Sequence, residues 1–365
     1  MLHLNHRPIK KVEKKSIMFI LPHFSNKPVG GYKVIFEYAN KLVNDNYEVG
    51  ILFINQNPMA KYPLPKVIKR KVVQIRTNFG PIWFNLNKNI KCFSSTQKQL
   101  SINNPDIVVA TDSSTIGFTN SKFKNSKKLY FIQGYETWNM SKNALYKTYN
   151  MDYKKIVISK WLEKVVSAHS LEAPIYIRNF INTNEYKVIN PIKNRNKYTI
   201  GMLYSEYPIK GSKYIIRALR KIKKYIPQLH VIMFGTAKRP KNLPSWFEYV
   251  QNASQKDTIR TYNRISIFVS GSLEEGFGLT GLEAMACGAA LISNNYSAVH
   301  EYADNGTNAL LINIKNENEI IDSIVSLIKN DDLRKKIAIT GSKESKKYTI
   351  DYSYAKLKHV LEGLD

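Results

Sequence analysis

The sequence predicts an α/β protein made of two doubly wound parallel sheets that face each other across a cleft. Three observations carry this. At 365 residues the chain exceeds what one core ordinarily supports. Short apolar runs alternate with helical periodicities along most of its length. A polar stretch, "NTNEYKVINPIKNRNK", interrupts the alternation at residues 182–197 and separates two series. The expected divisions are 1–182 for an amino-terminal domain, 198–345 for a carboxy-terminal domain and 346–365 for a closing helix.

In the first series, "SIMFILP" (Ser16 to Pro22) is a short apolar run stopped by proline, which signals a buried strand. A loop with Pro28, Gly30 and Gly31 follows. "YKVIFEYANKLVND" then places Val34, Ile35, Tyr38, Ala39 and Leu42 on one helical face. "EVGILFI" (Glu48 to Ile54) is the next strand, and "VVQIR" near Val72, "DIVVA" from Asp106, "KLYFIQ" from Lys128 and "KIVIS" from Lys155 read as further strands. The second series repeats the grammar. "YTIGML" is followed by a helix from Lys213 to Tyr225, "LHVIMFG", a helix over Asp257 to Asn263, "ISIFVS", a helix after Thr280, "AALIS" and "ALLIN". From Glu317 onward the chain reads as helical. Two such domains line a cleft with the carboxyl ends of their strands.

The net charge of +27 is spread over scattered lysine pairs rather than gathered in one block. Such a field favours anionic partners, among them nucleotides, acidic headgroups and acidic polymers. A solvated lysine-rich surface explains the same composition equally well. The two cysteines, Cys92 and Cys287, match no metal spacing and suit a reducing, cytoplasmic compartment. The start, "MLHLNHRPIKKVEKK", lacks the apolar stretch of a signal peptide, and no segment reaches the ~20 apolar residues of a spanning helix.

The chemistry concentrates in "SGSLEEGFGLTGLEAMACGAALIS", Ser270 to Ser293. Gly276 and Gly278 surround Phe277 and let the backbone approach a ligand where a Cβ would intrude. The helix opening near Thr280 offers free amides and a positive dipole end to phosphate or sugar oxygens. Glu275 and Glu283 flank that opening, and two carboxylates there can accept hydrogen bonds from several hydroxyls. A sugar attached to a nucleoside diphosphate presents that combination. A tight turn with a helix-capping glutamate is the plainer explanation, though Glu283 within a run of small residues would be buried and need a partner.

This stretch resembles the signature of retaining GT-B glycosyltransferases of family four. Its pattern is Ser or Thr, then Glu-Gly-Phe-Gly-Leu, then Glu-Ala-Met-Ala-x-Gly. The resemblance extends to the glycine loop after the first strand, to "IKGSKYIIRAL", and to a last helix that in the family packs back on the first, Rossmann-like domain. It implies Glu275 against the donor sugar and Glu283 on the ribose hydroxyls. The amides of Gly276, Phe277, Gly278, Leu279 and Thr280 would meet sugar and diphosphate. Lys210 would stand on the leaving diphosphate and Gly30 and Gly31 would face it. His23, Asp112, Gln133 and Glu136, with Tyr135 beside them, fall at strand ends on the acceptor side, where packing or capping accounts for them as readily. The family's second cation is replaced by Met202, leaving Arg178, Lys213 and Lys238 as substitutes. Glu301 follows a segment that departs from the family's pattern.

The resemblance thus implies transfer of a hexose-type sugar from a nucleoside-diphosphate donor to a glycan, lipid-linked or protein acceptor, in polysaccharide or other surface glycan assembly. No Asp-x-Asp motif stands beside a strand, so no cofactor and no metal is expected. The basic surface adds an expectation of peripheral association with the inner face of a membrane. Two other readings compete: a non-catalytic partner subunit of the same fold, which Met202 would suit, and a basic nucleic-acid-binding protein, which has no recognised motif in its favour.

Overall fold

The structure is a computed structural model that describes residues 14–55, 63–97 and 100–364. Residues 1–13, with the amino-terminal Lys10-Lys11 pair, lie outside the described residues. The first domain contains β1 (Ser16–Leu21), α1 (Gly30–Asn44), β2 (Glu48–Phe53), α2 (Lys66–Asn78), β3 (Lys91–Ser94), β4 (Ile107–Ala110), α3 (Ile116–Lys122), β5 (Lys127–Ile132), α4 (Lys142–Tyr149), β6 (Lys154–Val157), α5 (Lys160–Ser167) and β7 (Ile175–Tyr176). The second contains β8 (Thr199–Leu203), α6 (Ser212–Lys223), β9 (His230–Gly235), β10 (Phe247–Gln251), α7 (Gln255–Arg264), β11 (Ile267–Ser270), α8 (Leu279–Ala286), β12 (Ala290–Asn294), β13 (Ala309–Ile312), α9 (Glu317–Lys329) and α10 (Asp331–Ser345). α11 (Ile350–Glu362) closes the chain.

Both sheets are parallel, ordered β3-β2-β1-β4-β5-β6-β7 and β10-β9-β8-β11-β12-β13. The shared order places a reversal between β1 and β4 and another between β8 and β11. Strands such as β1 and β4 are buried along their whole length, as parallel strands covered by helices on both faces must be. Continuous apolar runs rather than alternation therefore mark them. α11 crosses back to α1 of the first domain, where Lys41 pairs with Asp351 at 2.5 Å and Lys358 with Asp45 at 2.7 Å. The architecture is GT-B: two Rossmann-like domains and a returning terminal helix.

The stretch "VVQIR" corrects its reading as a strand, because it lies inside α2. Its β-branched residues favour extension, but only Val73 and Thr77 of α2 are buried, four positions apart. One buried stripe at helical spacing, laid against the edge strand β3, overrides local propensity.

Candidate functional site

Doubly wound sheets place ligands beyond the carboxyl ends of the strands where their order reverses. In the second domain two loops leave that point. The loop after β8 ends in a 3-10 turn, Pro208–Lys210, followed by Gly211 in the left-handed region at φ 62°. The loop after β11 runs through Gly271. A Cβ on Gly211 would overlap the Gly271 carbonyl, so the two loops touch main chain to main chain. The Leu273 amide donates to the Ile209 carbonyl at 2.7 Å. This seam brings Lys210 to Glu275: Nζ donates to Oε1 at 2.5 Å, and Ser272 Oγ donates to the same oxygen at 2.7 Å.

Beyond Leu273 the pairing of main-chain donors stops. Among the described residues no N–H from Glu274 to Thr280 has an acceptor, leaving seven successive free donors. They curl into the start of α8, whose cap Gly278 has φ 93° and whose next amides carry the positive end of the helix dipole. Gly278 holds that curve because two buried tyrosines grip its carbonyl side. Tyr302 OH donates to the Gly278 carbonyl at 2.8 Å and Tyr296 OH to the Phe277 carbonyl at 3.3 Å. Burial raises both phenols well above their ordinary pKa, so both remain neutral donors. The Phe277 ring is turned into the core against Tyr302, so this residue offers the crevice its amide and not its side chain.

The helix opens at Leu279, slightly before the expected start, and Glu283 is its fifth residue. Glu283 is buried, and the partner it needs comes from the other domain. Lys33 of α1 donates to its Oε1 at 2.8 Å and also to the Tyr186 hydroxyl at 2.8 Å. Tyr262 OH donates to Oε2 at 3.2 Å. Burial first, and the Glu283 charge second, push the Tyr186 and Tyr262 phenols well up, so they too stay protonated.

The first domain faces this array closely. Gly30 lies against Leu279 and Gly31 against the Gln133 side chain, while a Cβ on Gly276 would overlap the Gln133 carbonyl. Gln133 is therefore wedged between the lobes, and its buried Oε1 has no hydrogen-bond partner among the described residues. Asp112 is half-buried and accepts from the Ser114 amide and Asn139 Nδ2, both at 2.8 Å. Glu136 lies beneath it, fully buried, accepting the Ser113 amide at 2.5 Å. Burial, helped by the Asp112 charge, pushes the Glu136 carboxyl up to about 8. Glu136 thus ties the loop after β5 to the loop after β4. His23 is exposed, its main chain bracketed by the Tyr32 hydroxyl.

Met202 is fully buried in β8 and offers the crevice no cation. Arg178 is committed to the Lys347 carbonyl at 2.5 Å and to the Tyr352 ring 3.8 Å away, while Lys213 and Lys238 are exposed on α6 and on the loop after β9. The cation that reaches the site's second carboxylate is Lys33, which sequence reasoning missed. Its only signal was its position three residues after Gly30, on the polar side of α1. Glu301 serves the lobes rather than the array: it accepts the Lys160 amide at 2.6 Å and the Tyr176 hydroxyl at 2.6 Å. Among the described residues, no group of three His, Cys, Asp or Glu side chains is placed to hold a metal ion, and no helix is long and apolar enough to cross a membrane.

Residues 185–344 match the family model for glycosyl transferases group 1. The chain is 27% identical over 228 residues to an uncharacterized glycosyltransferase of Methanocaldococcus jannaschii, covering 60% of this chain and 62% of that relative. It is 21% identical over 354 residues to an uncharacterized glycosyltransferase of Haemophilus influenzae, covering 92% and 96% of the two chains. Its fold is similar to that of Anabaena HepE in complex with UDP-glucose, with a TM-score of 0.72, 16% identity and coverage of 95% of this chain and 99% of that one.

Proposed function

We propose that the chain, whose residues 185–344 match the family model for glycosyl transferases group 1, is a retaining enzyme of family four using a nucleoside-diphosphate hexose. A UDP-sugar is the first donor to test, since a neighbour of the same fold binds UDP-glucose. The observation that carries the reading is the run of free amides from Glu274 to Thr280, set between Glu275 and Glu283 at the strand reversal. That array suits a pyrophosphate with a hydroxylated ring on either side.

In this reading the diphosphate lies over the amides of Gly276, Phe277, Gly278, Leu279 and Thr280, the ribose hydroxyls bond Glu283, and Glu275 orients the donor sugar. The bond from the anomeric carbon to the diphosphate oxygen breaks, the acceptor hydroxyl oxygen bonds that carbon from the same face, and the hydroxyl proton passes to the departing diphosphate oxygen. Negative charge grows on the departing diphosphate, where Lys210 and the amides stabilise it without rearranging, an oxyanion-hole type of assistance. No metal is needed for this, and transfer persists in excess chelator; abolished transfer would overturn that part. Gly30, Gly31 and Gln133 meet the donor from the first domain, with His23 and Asp112 toward the acceptor and Glu136 positioning the Asp112 loop. The acceptor class is a glycan, a lipid-linked saccharide or a protein in surface glycan assembly, with the enzyme peripheral to the inner face of a membrane.

Thermal shift against UDP, GDP, ADP and dTDP tests the donor site, because a ligand that binds only the native state raises its stability. One diphosphate stabilises the chain and Glu283→Ala removes the effect. Stabilisation by none of them, or equal stabilisation of a folded Glu283→Ala variant, overturns the reading.

A further inference from the structure

Six of the fifteen exposed large apolar side chains among the described residues fall within the short span from Leu64 to Ile82. They include Val67 at 73% exposure, Phe79 at 86% and Ile82 at 84%. Ile68, Ile75 and Phe79 recur at helical spacing on the side of α2 opposite its buried Val73 and Thr77. A solvent-facing apolar stripe of this kind is uncommon on a protein that works free in water.

Charge marks the same place. α2 carries Lys66, Lys69, Arg70, Lys71 and Arg76 and no acidic residue. In the sequence no aspartate or glutamate occurs between Glu48 and Asp106. Basic residues flanking an apolar stripe are what an anionic bilayer recognises: phosphates take the cations while the apolar side chains enter the headgroup boundary. Nucleic acid would use the cations but would leave Phe79 and Ile82 unsatisfied.

The platform is rigidly mounted. Trp83 Nε1 donates to the Ser25 carbonyl at 2.9 Å, and the Trp83 and Phe84 rings pack on Phe36 at 5.5 and 5.3 Å. Phe79 and Ile82 therefore stand out from a segment fastened to the β1–α1 loop, which carries His23 and leads to Gly30. We infer that α2 and the following turn, through Ile68, Ile75, Phe79, Ile82 and the flanking basic residues, dock the first domain on an anionic membrane surface. A bilayer held there brings a membrane-borne acceptor to the mouth of the crevice. The inference rests on exposure and charge and does not depend on the donor assignment.

Flotation of the full chain tests it, using vesicles of neutral phosphatidylcholine alone or with about one quarter phosphatidylglycerol at ~0.15 M salt. Binding to the anionic vesicles only is expected. Phe79→Ser/Ile82→Ser and, separately, Arg70→Ser/Lys71→Ser should each weaken it by about tenfold or more. Thermal melting and nucleotide-induced stabilisation should match the parent chain, since these side chains lie outside the core and the crevice. Failure of the parent chain to float overturns the inference, as does undiminished flotation of the Phe79→Ser/Ile82→Ser variant. Duplex DNA binding at the same salt, lost in Arg70→Ser/Lys71→Ser and kept in Phe79→Ser/Ile82→Ser, would reassign the surface to nucleic acid. A dimer abolished by Phe79→Ser/Ile82→Ser, without flotation of the parent, would reassign it to self-association.

Discussion

Replacing Lys33 with methionine should move stability and nucleotide affinity in opposite directions. The Lys33–Glu283 pair joins the lobes at 2.8 Å, with the two side chains only 17% and 8% exposed. Breaking a buried pair by removing one member leaves a charge behind and costs ~3–5 kcal/mol. Here Tyr262 still donates to the other carboxylate oxygen, and the pair is not wholly enclosed. A charge-assisted hydrogen bond is worth ~1.5–3 kcal/mol, so ~2 kcal/mol is the expected loss of stability without nucleotide. Nucleotide binding runs the other way. Ribose hydroxyls that reach Glu283 must displace the Lys33 ammonium, and the variant removes that competitor. At ~1.4 kcal/mol per factor of ten, UDP should bind about ten- to thirtyfold more tightly to Lys33→Met. Methionine keeps the unbranched apolar stem that lines one cavity with Val34 and Leu279, so the fill of that cavity changes little. Titration calorimetry with UDP, paired with thermal melting of the free protein, reads both signs. Weaker UDP binding by a folded Lys33→Met chain would show that Lys33 holds the nucleotide instead of competing with it. No change in either quantity would show that the pair carries neither load.

Four further outcomes follow from the same geometry. Lys210→Met and Glu275→Gln should each lower kcat by about a hundredfold or more while melting shifts little, because a partly exposed pair contributes only ~0–1 kcal/mol to stability; a large fall in melting temperature would make the pair structural. Gly276→Ala should force the lobes apart at Gln133, enlarging the radius of gyration in solution scattering and abolishing transfer while each domain still melts cooperatively; an unchanged radius with full activity refutes it. Glu136 gives a pH signature: its carboxyl ordinarily titrates near 4.5 and is pushed up to about 8 in the native chain, so between those values the unfolded chain has released a proton that the native state keeps. Stability therefore falls as pH rises through that window and levels off above it, and Glu136→Gln should flatten the slope seen in urea melts at pH ~5 and ~8, an unchanged slope refuting the assignment. Arg195, buried and donating only to neutral acceptors including the Tyr262, Ile265 and Cys287 carbonyls, should lose ~3 kcal/mol as Arg195→Lys, since one ammonium cannot reach all of them; a melt within ~1 kcal/mol of the parent refutes that.

What the sequence discloses of this molecule divides along a physical line. β1, β4, β8 and β11 are legible because a parallel strand covered on both faces must be apolar throughout, and such runs survive without context. α8 is legible because its glycines and alanines meet local demands: a positive φ at Gly278, close tyrosine hydroxyls, and close packing of Gly281. α2 is misread because its β-branched residues report their own preference, whereas one tertiary stripe, Val73 and Thr77 over β3, decides the outcome. Lys33 lies beyond any local reading, since its partner is 250 positions away and on the other domain. Gly276 shows how the two kinds of information combine. Its missing Cβ reads from sequence as room for a ligand, and in the structure the same room admits the Gln133 carbonyl from the opposite lobe. Both uses cannot be served at one moment. Under the proposed function, a donor laid on the free amides draws Gln133 off Gly276 and Lys33 off Glu283, and the contacts that close the lobes are the ones substrate replaces. In that reading opening is coupled to donor entry through a carboxylate and a glycine, with the energy supplied by the hydrogen bonds that a donor would make to the amides from Glu274 to Thr280.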